Sequence, residues 1–329
     1  MKSAVGTTCG TAVVDEVEGW LMQDPQKLYL GHPGLLNDPR LKGLDLVVAL
    51  TGFAEAGFTA QQVSEAILAE LQTEEIVEFD VDQLYDYRSR RPVVKFLEDH
   101  FEDLSLPELK LYAVTDGLGQ PFLLLAGPEP DLQWQRFSKA VTDLAEKMEV
   151  RLVASIASMP MPVPHTRPLP VTAHGNRNDL IQGISPWKPL AELGASAGHL
   201  LEVDFSQRGF DTVGYTVNVP QYLSEAELPQ AAVTALEHLS AATKLNLPTD
   251  RLREAGREVE QQINDQVNGS IEVQSIVNHL EKRYDETMTD ASKRSLLARD
   301  ESEIPDADEL GETIERFLAE HEDDEHNDH

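Results

Sequence analysis

The sequence is poor in cysteine, aromatic residues and positive charge. One cysteine in 329 residues rules out a disulfide within the chain, and aromatics make up only 6%. Against 58 Asp and Glu stand 27 Lys and Arg, a formal net charge of −31. Such a chain lacks the basic face that counterion release requires, which excludes a general nucleic-acid binder and argues against an anionic membrane as partner. Wholly apolar runs such as Phe122 to Ala126 are strand-sized, far below the roughly 20 residues that cross a bilayer. Met1 to Val14 holds no long apolar segment before Asp15-Glu16, so neither a signal peptide nor a membrane span is expected and the expected setting is cytoplasmic. There is no HExxH, CxxC or P-loop pattern, and the histidines are scattered singly. No catalytic residue, metal ligand set or cofactor is therefore assigned. Cys9 has no local signature of a nucleophile and reads as an incidental thiol.

What is present is alternation between short apolar runs and amphipathic segments, the mark of an α/β domain. Residues 1–22 read as an N-terminal arm and 23–247 as the core. Leu44–Leu50 is a buried-strand candidate, followed by the loop Thr51–Gly57 with two glycines. A helix follows, with Thr59 and Gln62 spaced as a capping box and Val63, Ile67 and Leu71 on one face. Glu75–Phe79 is the next strand. Leu109–Thr115 and Pro121–Ala126 flank Asp116-Gly117-Leu118-Gly119, a hairpin signal that mixes antiparallel pairing into the sheet. Asp131 is placed to cap a helix whose apolar face carries Phe137, Val141, Leu144 and Met148, and Arg151–Ile156 follows as a strand. His199–Phe205 and Val213–Val217 read as further strands, and Pro229 suits the first turn of a helix bearing Leu236 and Leu239. Beyond Leu247 the period is helical alone. Residues 248–285 read as a helical pair that must bury its stripes on the core or on a neighbouring subunit. Residues 286–304 read as a linker, 305–320 as a last helix and 321–329 as an acidic tail. The final 29 residues hold thirteen acids and one base.

Three groups of residues could carry chemistry. Met159–Pro170 (MPMPVPHTRPLP) has five prolines that favour an extended, polyproline-like path after a buried strand. Such a loop could hold His165, Thr166 and Arg167 beyond the carboxyl ends of the strands, with Arg167 gripping an anion or answering one of the protein's own carboxylates. Gly52, Glu55 and Gly57 precede a helix N-terminus and could cradle an anion, although Glu55 opposes phosphate and the spacing fits no nucleotide fingerprint. Tyr85, Tyr87, Arg88, Arg90 and Arg91 form a basic and aromatic loop, a candidate partner patch whose charges more readily pair within the protein or between subunits than with a ligand. His174, Asn176, Arg177 and Asn178 form another polar loop with no assignable partner. His321, His326 and His329 lie among carboxylates in a segment that offers a metal no rigid geometry.

In series, LDLVVALTGFAEAG, FDVDQLYDYRSRRP, FLLLAGPEPDLQWQRF, MPMPVPHTRPLPVTAH and YTVNVPQYL resemble the proteasome assembly chaperone 2 family, specifically its bacterial branch. The resemblance spans about Tyr29 to Tyr284. It implies a three-layer α/β/α sandwich with a mixed sheet, similar to nucleoside phosphorylases and related hydrolases, plus a C-terminal helical extension. It also implies a homo-oligomer, with a trimer as the expected number. Eukaryotic relatives hold proteasome α subunits, so a protein client, proteasome-related in the first instance, is the partner implied. Some archaeal relatives dock through a C-terminal hydrophobic-Tyr-any-residue motif. This chain closes with Asn327-Asp328-His329, so tail docking is not expected. The bacterial branch brings no catalytic residues, and His165, Thr166 and Arg167 carry over as family-marking residues only. The expected function is thus a non-enzymatic protein-binding or assembly role. The alternative is an enzyme, or a nucleotide- or anion-binding protein, using a phosphorylase-like pocket.

Overall fold

The computed structural model describes residues 23–186 and 192–297. The expected arm, the last helix and the acidic tail lie outside the described residues. Among the described residues there are ten strands: β1 (Tyr29–Gly31), β2 (Asp45–Thr51), β3 (Gln72–Phe79), β4 (Val93–Leu97), β5 (His100–Ser105), β6 (Lys110–Thr115), β7 (Pro121–Pro128), β8 (Leu152–Met161), β9 (Val171–Gly175) and β10 (Asp211–Pro220). The helices are α1 (Thr59–Glu70), α2 (Val81–Leu84), α3 (Trp134–Lys147), α4 (Asn178–Ile181), α5 (Ala197–Gln207), α6 (Pro229–Thr243), α7 (Asp250–Asn268) and α8 (Ile271–Leu297).

Eight strands form one sheet in the order β1-β3-β6-β7-β2-β8-β10-β9, and β4 pairs only with β5. The neighbours β7, β2, β8 and β10 run parallel, whereas the pairings β1–β3, β3–β6, β6–β7 and β10–β9 are antiparallel. The parallel centre is apolar on both faces because both are covered. Along β2, Val47 and Ala49 join a core with α1 and α6, while Leu46 and Val48 join a core with α3 and α5. The same alternation recurs in β7, where Phe122, Leu124 and Ala126 face the first core and Leu123 and Leu125 the second. Helix, sheet and helix therefore stack in three layers, as the resemblance implied. Among the described residues, no helix is long and apolar enough to cross a membrane.

Several local expectations change. His199–Phe205 lies within α5: Ser196 accepts from the His199 N–H while the His199 ring accepts from the Ser196 N–H, and this reciprocal cap starts a helix. Thr59 and Gln62 form no such box. Phe58 occupies the cap position in a left-handed conformation, Thr59 Oγ1 donates to Ala56 O, and Gln62 Nε2 donates to Gly57 O. Asp131 does not cap α3; it accepts from the Asp86 N–H and pairs with Arg90. β8 runs on through Pro160, in register with Val219, after β2 has left the ladder, a place where a strand proline is tolerated. The expected linker from 286 is helical as far as Leu297. That segment has no Gly or Pro to stop a helix, and its polarity alone suggested a connector.

Arg136 on α3 is 4% exposed, and among the described residues its guanidinium meets no carboxylate oxygen. It donates to the Asp24 carbonyl and to the side-chain oxygens of Gln23, Gln83 and Gln133, which ties the start of the described chain to α3. A buried cation held by such dipoles depends on each of them. Arg136→Met, similar in length but without donors, strands these acceptors. Urea unfolding should then show a loss of about 3 kcal/mol.

Candidate functional site

Because β7, β2, β8 and β10 are parallel, their carboxyl ends share one rim of the sheet, where ligands of open α/β folds bind. β2 delivers Gly52, Glu55 and Gly57 to that rim. Gly52 has φ +153°, and a side-chain carbon there would stand 2.5 Å from Glu129 Oε1. Glu129, directly after β7, is 6% exposed. Its Oε1 accepts from the Phe53 N–H at 2.7 Å, its Oε2 from the Ala197 N–H in the first turn of α5 at 2.8 Å, and its own N–H donates to Thr51 O at 2.7 Å. One buried carboxylate thus joins the β2 loop to a helix N-terminus.

Glu55 does the same on the other side of the sheet. It bridges to Ser158 at the end of β8, and its Oε1 accepts from the Gln61 N–H of α1 at 3.0 Å. Among the described residues its Oε2 is buried without a partner. Burial pushes the Glu55 carboxyl up to about 7, although the N–H groups of Gln61, Ala60 and Gly52 pull the other way. Ser158 is fully buried and donates to Ala56 O at 2.7 Å, closing the rim beneath the loop. The glycine loop therefore folds around the protein's own acid.

The proline-rich loop is pinned under the C-terminal helices. The Tyr222 hydroxyl oxygen accepts from the His165 N–H at 2.9 Å and lies 2.7 Å from His165 Nδ1, while His165 Nε2 is 3.3 Å from Asn264 Oδ1 on α7. Burial pushes the Tyr222 phenol up to about 12. Thr166 donates to Glu281, and Arg167 makes a two-pronged contact with Asp285, both arms at 2.9 Å, and a further one with Glu281 at 3.2 Å. Through these hydrogen bonds Arg167 holds the Asp285 carboxyl below its ordinary range. The Tyr284 hydroxyl donates to Pro168 O at 2.8 Å. Leu252, Val259 and Ile263 of α7 pack on the core of the same chain, so the helical pair covers its own protomer.

The basic and aromatic loop roots at the same rim. Tyr85 is buried and donates to Pro128 O at 2.6 Å; Tyr87 donates to Asp82 at 2.7 Å, a bond that raises the phenol to about 12. Arg90 pairs with Asp131 at 3.0 Å and lies 5.8 Å from the centre of the Tyr85 ring. Arg88 and Arg91 are exposed, and among the described residues neither makes an ion pair. The loop leads directly into the β4–β5 hairpin, which sequence reasoning missed. Its signal is Val93-Val94-Lys95-Phe96-Leu97 turning at Glu98-Asp99.

In the other polar loop, His174 lies between Glu202 on α5 and Thr216 on β10, at 2.9 and 3.2 Å, over Gly214, which has no side chain to displace the ring. Asn176 and Arg177 pair locally with Thr212 and with Asp179 and Asp211. Thr216 is 9% exposed, so this chain of contacts fastens the edge strand β9 to α5 and β10. Two internal cavities of about 10 Å³ lie within the packed layers, one lined by Phe79 and Met148, the other by Leu201 and Glu202. Each has room for about one water. Among the described residues no group of three or more His, Cys, Asp or Glu could hold a metal. His321, His326 and His329 lie outside them.

The Glu55 arrangement gives a pH test. Its folded-state value lies above the unfolded one, so ionising it opposes folding: the penalty is absent below about 4.5, grows as pH rises and is complete above about 7. Glu55→Gln should therefore be more stable than the parent at pH 8, by about 1–3 kcal/mol, and should match it near pH 4.5 in urea unfolding. An equal effect at both pH values would remove the buried-acid account.

Comparison with known proteins adds the following. A family model described as "PAC2 family" matches residues 49–267. No curated protein matches the chain. A Mycobacterium tuberculosis protein of unknown function is 42% identical, with a TM-score of 0.78 over 82% of this chain and 92% of that one. A Corynebacterium glutamicum protein of unknown function is 37% identical, with a TM-score of 0.75 over 79% and 97%. A Mycobacterium tuberculosis proteasome-assembly chaperone homologue shares the fold at 23% identity, with a TM-score of 0.64 over 71% and 100%.

Proposed function

Because this chain belongs to the PAC2 family, we propose that it is a non-enzymatic binding and assembly protein: a cytoplasmic homo-oligomer, with three copies as the number to test, that holds a protein client. One observation carries the reading. The groups with which an open α/β rim would grip a small anion already meet the protein's own carboxylates: Phe53 and Ala197 N–H on Glu129, Gln61 N–H on Glu55, and Arg167 on Glu281 and Asp285. A rim closed in this way suits a rigid platform more than a turnover site. The relative named as a proteasome-assembly chaperone homologue makes a proteasome subunit the first client to try. Crosslinking of the tagged full-length chain under native conditions, read by mass spectrometry, should yield one client with crosslinks at fixed positions on both proteins. Recovery of the chain with copies of itself alone would count against a client.

The alternative, an enzyme or nucleotide-binding protein with a phosphorylase-like pocket, draws support from the unpartnered buried oxygen of Glu55, an acid that titrates near neutrality. Inorganic phosphate, nucleosides and nucleotides at millimolar concentration should leave the melting temperature of the platform unchanged. A rise that disappears in Arg167→Ala would move the assignment to this alternative.

A further inference from the structure

The apolar residues of the α7–α8 pair divide into two sets. Leu252, Val259 and Ile263 of α7 rest on the core, and Val277 and Leu280 of α8 are buried. Ile271, Val273 and Ile276 at the start of α8 are 86%, 39% and 41% exposed. From Asp265 to Ile276, the turn between the helices and the first turns of α8, no residue is buried. Ile and Val form helix less readily than Ala, Leu or Glu, and left in water they gain no burial in return. Three of them so close together at the tip of the pair mark a surface that another molecule covers. The tip is firmly seated, since Asn264 Oδ1, just before the turn, lies 3.3 Å from His165 Nε2.

The charges around this tip identify the occupant. Residues 258–281 contain Glu258, Glu260, Asp265, Glu272 and Glu281 and no Lys or Arg. Thr166 and Arg167 engage Glu281. The other four acids are exposed, and among the described residues none of them makes an ion pair. Bare aliphatic side chains ringed by acids alone repel a nucleic acid, an anionic bilayer and the acid-rich residues 301–329 of this chain. Two copies meeting tip to tip would set acid against acid. A basic protein surface with an apolar recess answers both features.

We infer that the α7–α8 tip is where a protein client docks, with Ile271, Val273 and Ile276 entering an apolar recess whose rim carries Lys and Arg opposite Asp265 and Glu272. The net charge of −31 steers such a surface toward the chain, and the aliphatic side chains hold it on contact. This inference rests on the client reading above and supplies its surface.

Fluorescence anisotropy with two labelled synthetic peptides tests it, one built of Lys and Leu as an amphipathic helix, the other with Ser in place of every Leu. At physiological salt the full chain should bind the Lys/Leu peptide about tenfold more tightly than the Lys/Ser peptide. Ile271→Ser with Ile276→Ser should remove that difference with an unchanged circular dichroism spectrum, and Asp265→Asn with Glu272→Gln should weaken both peptides. Equal binding of the two peptides by the parent, or a preference that survives in the isoleucine variant, would overturn the tip. So would a fall in the light-scattering mass of the isoleucine variant, which would make the tip a contact between copies. Carbodiimide, which couples client amines to acids they touch, separates the two readings. A client joined to Asp265 and Glu272 supports both, and a client joined only to acids outside residues 258–281 would uphold the client reading and overturn the tip. Peptide discrimination with no client recovered would overturn the client reading and uphold the tip as an apolar, cation-seeking surface.

Discussion

Glu129 sits where little water reaches it and accepts hydrogen bonds from two chain segments far apart in sequence, at Phe53 and Ala197. A buried carboxylate with charge-assisted donors on both oxygens is stable only while both stay in place, and removing either would leave a desolvated charge. That requirement fixes where β2 hands over to its loop and where α5 begins. It also explains Gly52, whose missing side chain leaves room for the acid. Glu55, on the opposite side of the sheet, anchors α1 by the same logic but with one oxygen left over. The end of the sheet that most often serves chemistry in open α/β folds is here tied shut by two acids of the protein itself.

Around this closed rim the molecule divides its work. The sheet and its four principal covering helices supply rigidity, the α7–α8 pair roofs the proline-rich loop, and the exposed β4–β5 ribbon follows a loop that Tyr85 ties to the end of β7. The polar groups identified are mostly engaged in holding one element to another: His165 to Tyr222, His174 to Glu202, Arg167 to α8. Such an arrangement leaves few of these groups free at the rim of a chain that belongs to the PAC2 family.

The buried strands were legible because LDLVVAL and FLLLA are apolar on both faces, a pattern that demands cover on both sides. α5 was not, because Leu201, Val203 and Phe205 alternate like a strand; the structure leaves Val203 51% exposed and buries only Leu201 and Phe205, four apart as a helix requires. The glycine loop and His165–Arg167 stood out locally. Their partners did not: Glu129 lies 76 residues from Phe53, and Asp285 lies 118 from Arg167. No local pattern carries pairings at that range, and they decide whether a loop is open to a ligand or filled. Residues 286–297 misled for the opposite reason, since a helical segment without a repeating apolar stripe reads like a connector.

Apolar packing seats α7 on the core, whereas the seam between α8 and the proline-rich loop is largely polar. The platform is packed hydrocarbon, indifferent to dissolved ions, whereas α8 meets the loop mainly through Arg167, 32% exposed, and two carboxylates in contact with solvent. At physiological ionic strength such pairs are screened over about 8 Å. Potassium chloride should thus weaken the seam between α8 and the loop before it touches the sheet, giving the molecule one joint that responds to its ionic surroundings and a core that ignores them.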